Sequence, residues 1–425
     1  METKNIALIV VVVVVVAAIG VAAFTLLGDD DQGYRSSNED GRLMIYGNAN
    51  NDDYLDEEDV AYIERIIAGE AEETLYADAN NDGRIDQADI DFVNRMINSE
   101  AMTIYYHNNL VGTATAIDYP ITNVVTITAE AGLATKILGN TANIRGYQGS
   151  LDSVLFSDLP SNAVVFSDSG VIPIETLSSM NVDAIVTMPT SSYVTNEAEI
   201  TMNGIDVLRL GFRDSDPSAA YITYGYLLGV EDRSNDYARF VDETLAYIQD
   251  VVAENVADSD KVSGMVLGYN IIYGRISDYG NVIEMAGGIN AVDWYEHRYV
   301  RDGMDWLYNY DFDYIVGRVT AGGYDYSTDS GGYADVETAW NNHVNTYRLT
   351  DAVHNGNLVL LNTSVPTVIN AAYLAAEFYP ELFGEDYGDR IHQEYVDRFI
   401  DNLAAEDYDV SEDGLFFITS DDIES

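Results

Sequence analysis

Two twelve-residue stretches carry oxygen-bearing side chains at the spacing a calcium ion requires. In the second, Asp78, Asn80, Asp82 and Asp89 hold the first, third, fifth and twelfth positions, Gly83 sits at the sharp turn, and Arg84 supplies a backbone carbonyl at the seventh. Calcium takes about six to eight hard oxygen ligands, which such a loop can offer. In the first, Asn48, Asn50, Asp52 and Asp59 recur with the Tyr54 carbonyl, but Asn48 replaces a carboxylate and Asp53 replaces the turn glycine. The expectation is two Ca2+ ions, with the second loop binding more tightly because the first has lost ligand charge and altered its turn.

The loops belong to a longer repeat, GNANNDDYLDEEDVAYIERIIAGE and ADANNDGRIDQADIDFVNRMINSE, in which each ligand position recurs thirty residues on. After each loop, apolar residues fall at helical spacing: Val60, Ile63, Ile66 and Ile67, then Ile90, Val93, Met96 and Ile97. Two short helices are expected to bury these stripes against each other. With Asp at the twelfth position and no amphipathic helix ahead of the first loop, residues 44–99 resemble the dockerin family. The resemblance implies a small all-α, calcium-folded module over 41–100 that docks onto a cohesin-type partner through its helices. The residues alone fit equally well a calcium staple that only connects its neighbours.

The segment ahead of this module bears on location. Residues 6–27, IALIVVVVVVVAAIGVAAFTLL, carry no charge and reach about 30 Å as a helix, enough to cross a bilayer core. Lys4 precedes the run and Asp29, Asp30 and Asp31 follow it, which favours an inside N-terminus and an exported remainder. The run is read as a retained transmembrane anchor over 1–28, with a cleaved signal peptide as the alternative, and both export the chain. Residues 29–40 are polar and aperiodic, a spacer.

Composition narrows the function further. The chain has 425 residues, enough for two or three domains, and 72 acidic against 20 basic residues give a formal net charge of −52. Nucleic acid is excluded as a natural partner, and an anionic membrane surface is a poor one. With no cysteine, disulfides, thiolate metal sites and cysteine nucleophiles are excluded. No G-x-S-x-G, H-E-x-x-H, phosphate loop or dinucleotide fingerprint occurs, so the chain is read as a binding protein and not an enzyme.

The remaining residues, 101–425, alternate short apolar runs with helical stretches. The runs are 124–128, 163–166, 183–188 and 207–210, then 262–268, 313–317 and 357–362, the βα pattern of open parallel sheets. Between the two groups, residues 232–256 keep helical spacing at Phe240, Val241, Leu245, Ile248, Val251 and Val252, predicting one helix that joins lobe 1 (101–231) to lobe 2 (257–425). The lobes repeat each other, since ETLSSMNVDAIV aligns with DWLYNYDFDYIV. The body resembles the solute-binding proteins of iron-chelate and cobalamin ABC importers, α/β proteins of two lobes joined by a rigid helix. The most family-like stretch is NGNLVLLNTSVPTVINAAYLAAEFYPELFG, residues 356–384.

That resemblance implies import of a metal chelate or cofactor such as a siderophore, haem or cobalamin, with one carboxylate per lobe, Glu175 and Asp305, meeting basic residues of the permease. In open α/β sheets ligands lie beyond the carboxyl ends of the strands, here the crevice between lobes. Tyr193, Tyr269, Tyr273 and Tyr324 on the crevice loops offer aromatic walls. Arg213, Arg275 and Arg318 can pair with acidic groups of a chelate, and in a chain so poor in cations their placement is informative.

Overall fold

The computed structural model describes residues 42–149, 151–167, 169–213, 217–268, 271–274, 279–292, 294, 299–300, 304–326 and 332–424. The apolar segment 6–27 and the spacer 29–40 lie outside the described residues. Among the described residues no helix is long and apolar enough to cross a membrane.

Each calcium loop runs into a helix, α1 (Glu57–Ile67) and α2 (Gln87–Ile97). Both begin with the same device: Asp56 or Asp86 caps the first turn, and Asp59 or Asp89 reaches back to the capping residue's N–H. The twelfth loop residue is thus also the third residue of its helix, so loop and helix share one side chain. Ile63, Ile66, Ile90 and Val93 close on Ala49, Ala77 and Ala79 in one small core, the expected pairing of the two stripes.

A hairpin follows, β1 (Met102–Asn108) and β2 (Thr113–Tyr119), in fully antiparallel register. The chain ahead of the first loop lies along it: Tyr46 N–H donates to Tyr105 O and His107 N–H to Met44 O. The hairpin also reaches the next domain. The Tyr106 phenol is fully buried, donates to Val207 O and accepts from Arg209 N–H.

Lobe 1 contains β3 (Val124–Ile127), α3 (Ala129–Ile137), β4 (Ile144–Gln148), β5 (Val164–Phe166), α4 (Ile174–Ser178), β6 (Ala184–Thr187), α5 (Glu197–Met202) and β7 (Asp206–Arg209). Its five strands run parallel in the order β5-β4-β3-β6-β7. Then come α6 (Ser218–Leu228) and a helix of 25 residues, α7 (Glu231–Asn255), where the linking helix was expected.

Lobe 2 comprises β8 (Ser263–Gly268), β9 (Ile271–Tyr273), β10 (Ile289–Asn290), β11 (Tyr299–Val300), β12 (Tyr314–Val319), α8 (Gly332–Tyr347), β13 (Leu358–Asn362), α9 (Thr367–Phe378), α10 (Tyr387–Phe399) and β14 (Phe417–Ile418). The sheet order is β11-β9-β8-β12-β13-β14, with β10 beside β8, and β8, β12 and β13 run parallel at its centre. All seven apolar runs are strands. Those of β3, β6 and β13 are buried at every position, as sheets covered on both faces require.

Helix α7 belongs to two cores at once. Tyr237, Phe240 and Val241 pack with lobe 1, whereas Ile248, Val251 and Val252 pack against α9 and the lobe 2 sheet. The internal repeat of the lobes has a structural counterpart. Asp183 accepts from Asn123 N–H at 2.8 Å and donates its own N–H to Asn123 O, and Asp313 does the same with Ser263. Each carboxylate fixes the register at the entry to a central strand pair.

Candidate functional site

The strand ends of both lobes open on a cavity of about 260 Å³. Lobe 1 contributes Glu130, Leu133, Phe156, Phe212 and Arg213, and lobe 2 contributes Tyr279, Arg318, Thr320, Asn362 and Asn370. The start of α3 lines one wall and the start of α9 the other.

Two of the arginines expected at the ligand meet here. The Arg318 guanidinium lies 3.3 Å and that of Arg213 4.6 Å from the centre of the Tyr279 ring. Arg318 also donates to the Tyr279 hydroxyl, and Arg213 Nη1 pairs with Glu130 Oε1 at 3.0 Å. A ring face attracts cations, so one tyrosine gathers both charges in a partly dry space. The half-buried Asp152 in the lining is otherwise engaged: it accepts from the backbone N–H groups of Val154, Leu155 and Tyr324.

The helix ends add to this field. Helix α9 starts at Thr367 with no acidic residue in its first turn and no side-chain cap, leaving backbone N–H groups and the positive end of its dipole toward the cavity. Asn370, one turn in, has a buried Oδ1 with no hydrogen-bond partner among the described residues. At the head of α3, Thr128 holds φ at 150°, rare for any residue with a side chain, where β3 gives way to the wall carrying Glu130. Asn362 is fixed by Ala321 O and by Ser364 N–H, which shapes the opposite rim. The arrangement suits a ligand with anionic edges and a compact body.

The tyrosines are placed differently from expectation. Tyr324 is 1 % exposed and lies beneath the cavity, bonded to His392 Nε2 at 2.7 Å. Tyr273 stands behind Tyr279, edge to face at 5.3 Å, and is not part of the lining. Tyr193 sits on a loop drawn back by Arg209, whose buried guanidinium donates to Met188 O, Thr190 O and Val194 O and pairs with Glu197. Tyr269 and Arg275 lie outside the described residues. Tyr279 was missed, as were Glu130, Asn362 and Asn370, although Glu130 just follows the apolar run 124–128 and Asn362 ends the run 357–362, at the carboxyl ends where a ligand was expected.

Of the two carboxylates expected to meet a permease, Glu175 is exposed in the first turn of the five-residue helix α4. Asp305 falls in the 3-10 turn Met304–Asn309, and its side chain lies outside the described residues.

The calcium loops share most of their wiring: in loop 1 Asp52 N–H donates to Asn48 and Asn50, Tyr54 N–H to Asp52, and Asn50 and Asp56 N–H to Asp59, as their counterparts do in loop 2. In loop 2, Asp78 accepts from Asp82 N–H and Gly83 N–H, Asn80 from Asp82 N–H, and Asp82 from Arg84 N–H. Gly83 has φ at +87°, the left-handed turn only glycine takes freely. Asp89 ties Asn80 N–H to Asp86 N–H, and burial raises its pKa. Three carboxylates, one amide oxygen and the Arg84 carbonyl fit a hard divalent cation. Among the described residues no three acidic, histidine or cysteine side chains are already gathered as a cage.

In loop 1, Asn48 is fully buried, and its amide N–H groups are spent on Leu43 O at 2.9 Å and Asp52 O at 2.7 Å. Asn50 donates to Asp52 Oδ2, and Asp53 leaves the loop to pair with Arg42. Burial pushes Asp59 up to about 8.

These two architectures, a duplicated loop-helix module and a two-lobed α/β body bridged by one helix, are those of a dockerin domain and a periplasmic binding protein. Residues 46–98 match the family model of the dockerin type I domain. The body is similar in fold to the TroA-like periplasmic binding protein FepB of Veillonella parvula, at 18% identity and a TM-score of 0.57, covering 74% of this chain and 99% of that one. It is also similar to the Haemophilus influenzae protein MolA bound to molybdate (14% identity, TM-score 0.56, 70% and 98% covered). A third is Helicobacter pylori CeuE with Ni(II) bound (16%, 0.53, 70% and 96%). No curated protein sequence matches the chain.

Proposed function

We propose that the chain is the extracytoplasmic binding component of an ABC importer, held to the membrane by residues 6–27, and that it captures an anionic metal chelate or metal-bearing cofactor. Siderophore, haem and cobalamin complexes belong to this class. The observation that carries this reading is the convergence of Arg213 from one lobe and Arg318 from the other on Tyr279, facing an unblocked helix start. Glu175 and Asp305 are the carboxylates offered to the permease. The structures of MolA with molybdate and CeuE with Ni(II) support a metal-bearing cargo for this fold.

The module adds a second interaction. Its dockerin match supports recruitment of a cohesin-type partner, with loop 2 as the calcium site. A membrane-held transporter component thereby joins a larger surface assembly.

The test is thermal unfolding of the full chain in detergent with haem, cobalamin, ferric siderophores and molybdate. A ligand at one hundred times its Kd stabilises the folded state by about 2.7 kcal/mol, a clear upward shift in Tm. Flat profiles with all of them would remove the import reading.

A further inference from the structure

Duplication gives a module two equivalent loops, yet their surroundings here are unlike. In loop 2, residues 81–84 are exposed, whereas in loop 1 Asn48 and Asp53 are buried and residues 50–52 half-buried. What covers loop 1 is lobe 1 and the start of the linking helix. Leu43, Met44, Ile45 and Tyr46 share the large core of lobe 1 and α6, and Met44 N–H donates to Thr223 Oγ1 on α6 at 2.9 Å.

At the centre of this junction stands Arg42, 4 % exposed. Its Nη2 and Nε reach the two oxygens of Asp53 at 2.8 and 3.4 Å, and its backbone N–H also donates to Asp53 Oδ1 at 3.1 Å. Its Nη1 meets both oxygens of Asp242, on α7, at 2.9 Å. Asp53 is the residue in place of the turn glycine, and its φ is not among the left-handed ones, unlike that of Gly83. The loop therefore turns by another route, and its sixth side chain faces the guanidinium. A planar guanidinium between two carboxylates is a directional link that a mobile surface pair is not.

The first ligand position is altered to match. Where Asp78 receives Gly83 N–H on a second carboxylate oxygen, Asn48 has no such oxygen, and its amide protons bind Leu43 O and Asp52 O. Elsewhere the two loops are bonded alike, so loop 1 differs in the missing carboxylate of Asn48, whose amide protons tie it to Leu43 and Asp52, and in the Asp53 side chain committed to Arg42. Loop 1 thus does not fit the ion in the way loop 2 does.

We infer that loop 1 serves as a calcium-independent interlock, with Arg42 as its fixed cation, that fastens the module to lobe 1 and to the linking helix and leaves loop 2 as the one tight calcium site. The module then cannot swing on the body, and a partner meets only the second repeat from the open side. This inference is independent of the ligand reading of the cleft.

The test is hydrogen exchange of the full chain in detergent, with calcium and with chelator, alongside calcium stoichiometry. Chelator should release protection over 78–89 and leave 42–55 protected, with one calcium equivalent bound. Arg42→Gln should speed exchange over 42–55 at least tenfold under both conditions. Chelator releasing both loops together, an Arg42→Gln chain with 42–55 still protected, or two tight equivalents in the parent would each overturn it. Should Arg42→Gln not fold, Asn48→Asp with Asp53→Gly decides: the double variant should bind a second calcium, and one that still binds a single ion overturns the inference. Zero equivalents in the parent with the same Arg42→Gln effect supports the interlock and removes the calcium reading of loop 2 instead.

Discussion

Arg213 and Arg318 come from different lobes, and each alone would be an ordinary surface cation in a water-rich cleft. Brought onto one ring, they repel each other, and Glu130, in contact with Arg213, offsets part of that charge. An anionic ligand relieves that repulsion and gains hydrogen bonds to charged groups, each worth about 1.5–3 kcal/mol. Arg213→Gln and Arg318→Gln should therefore each weaken binding of the stabilising ligand by about 10- to 100-fold. Lysine should not restore Arg318, because a point charge cannot stack on Tyr279 and bond its hydroxyl together. Titration calorimetry measures this, and unchanged affinity in both glutamine variants would take the arginines out of the site. The two arginines were legible because only 20 of 425 residues are basic, so each one in a crevice loop stood out. Tyr279 was not, because 32 tyrosines share the chain and only the folded path says which ring meets a guanidinium. Tyr324 shows the converse: its loop is near the cleft, but its side chain turns inward to His392.

At the scale of elements, the strands of both sheet centres and the linking helix were legible because burial on both faces writes continuous apolar runs, and one buried stripe writes a helical period. The hairpin β1–β2, the half-polar β4 and the two- or three-residue strands β9, β10, β11 and β14 carry no such pattern, and tertiary pairing alone makes them strands. Helix α10 carries a further consequence. It packs Tyr395 and Phe399 against Phe240 and Tyr237 of α7 and sets His392 between two phenols, Tyr324 at 2.7 Å and Tyr373 at 3.1 Å. Since the Tyr373 hydroxyl donates to Asp389, His392 Nδ1 carries the proton and Nε2 accepts from Tyr324. Burial lowers the imidazole from 6.5 to about 3. Below pH 6.5 the unfolded chain takes up a proton that the native one refuses until about pH 3, so this group's contribution to stability is complete above 6.5 and is lost as pH falls. Asp389, raised by burial, works in the opposite direction and is common to parent and variant. His392→Gln should thus flatten the stability-pH curve between pH 6.5 and 4 by up to about 1.4 kcal/mol per pH unit. Denaturant unfolding at several pH values checks it, and parallel curves would mean that the histidine is protonated in the native state.

For the whole molecule, two features set behaviour: connection and charge. Helix α7 contributes to the cores of both lobes, and Arg42 binds the same helix to the module, so module, linker and lobes are joined through buried contacts instead of flexible chain. Such a body resists wide hinge motion, and cargo exchange falls to the side chains and loops of the cleft. The full chain carries a formal charge of −52, most of it on this body. Close-packed like charges on a compact surface raise the free energy of the folded state relative to an expanded chain, where they lie farther apart. Salt weakens that repulsion, since the Debye length drops from about 30 Å at 0.01 M to about 3 Å at 1 M. The buried link of Arg42 with Asp53 is shielded from the same ions, so screening removes more repulsion than attraction. Thermal unfolding of the full chain should accordingly move to higher temperature as sodium chloride rises from 0.01 to 1 M. Calcium held constant in all samples separates this from ion binding at loop 2. A Tm that falls with salt would mean that the sparse ion pairs, and not the surplus of acids, dominate the electrostatics of the fold.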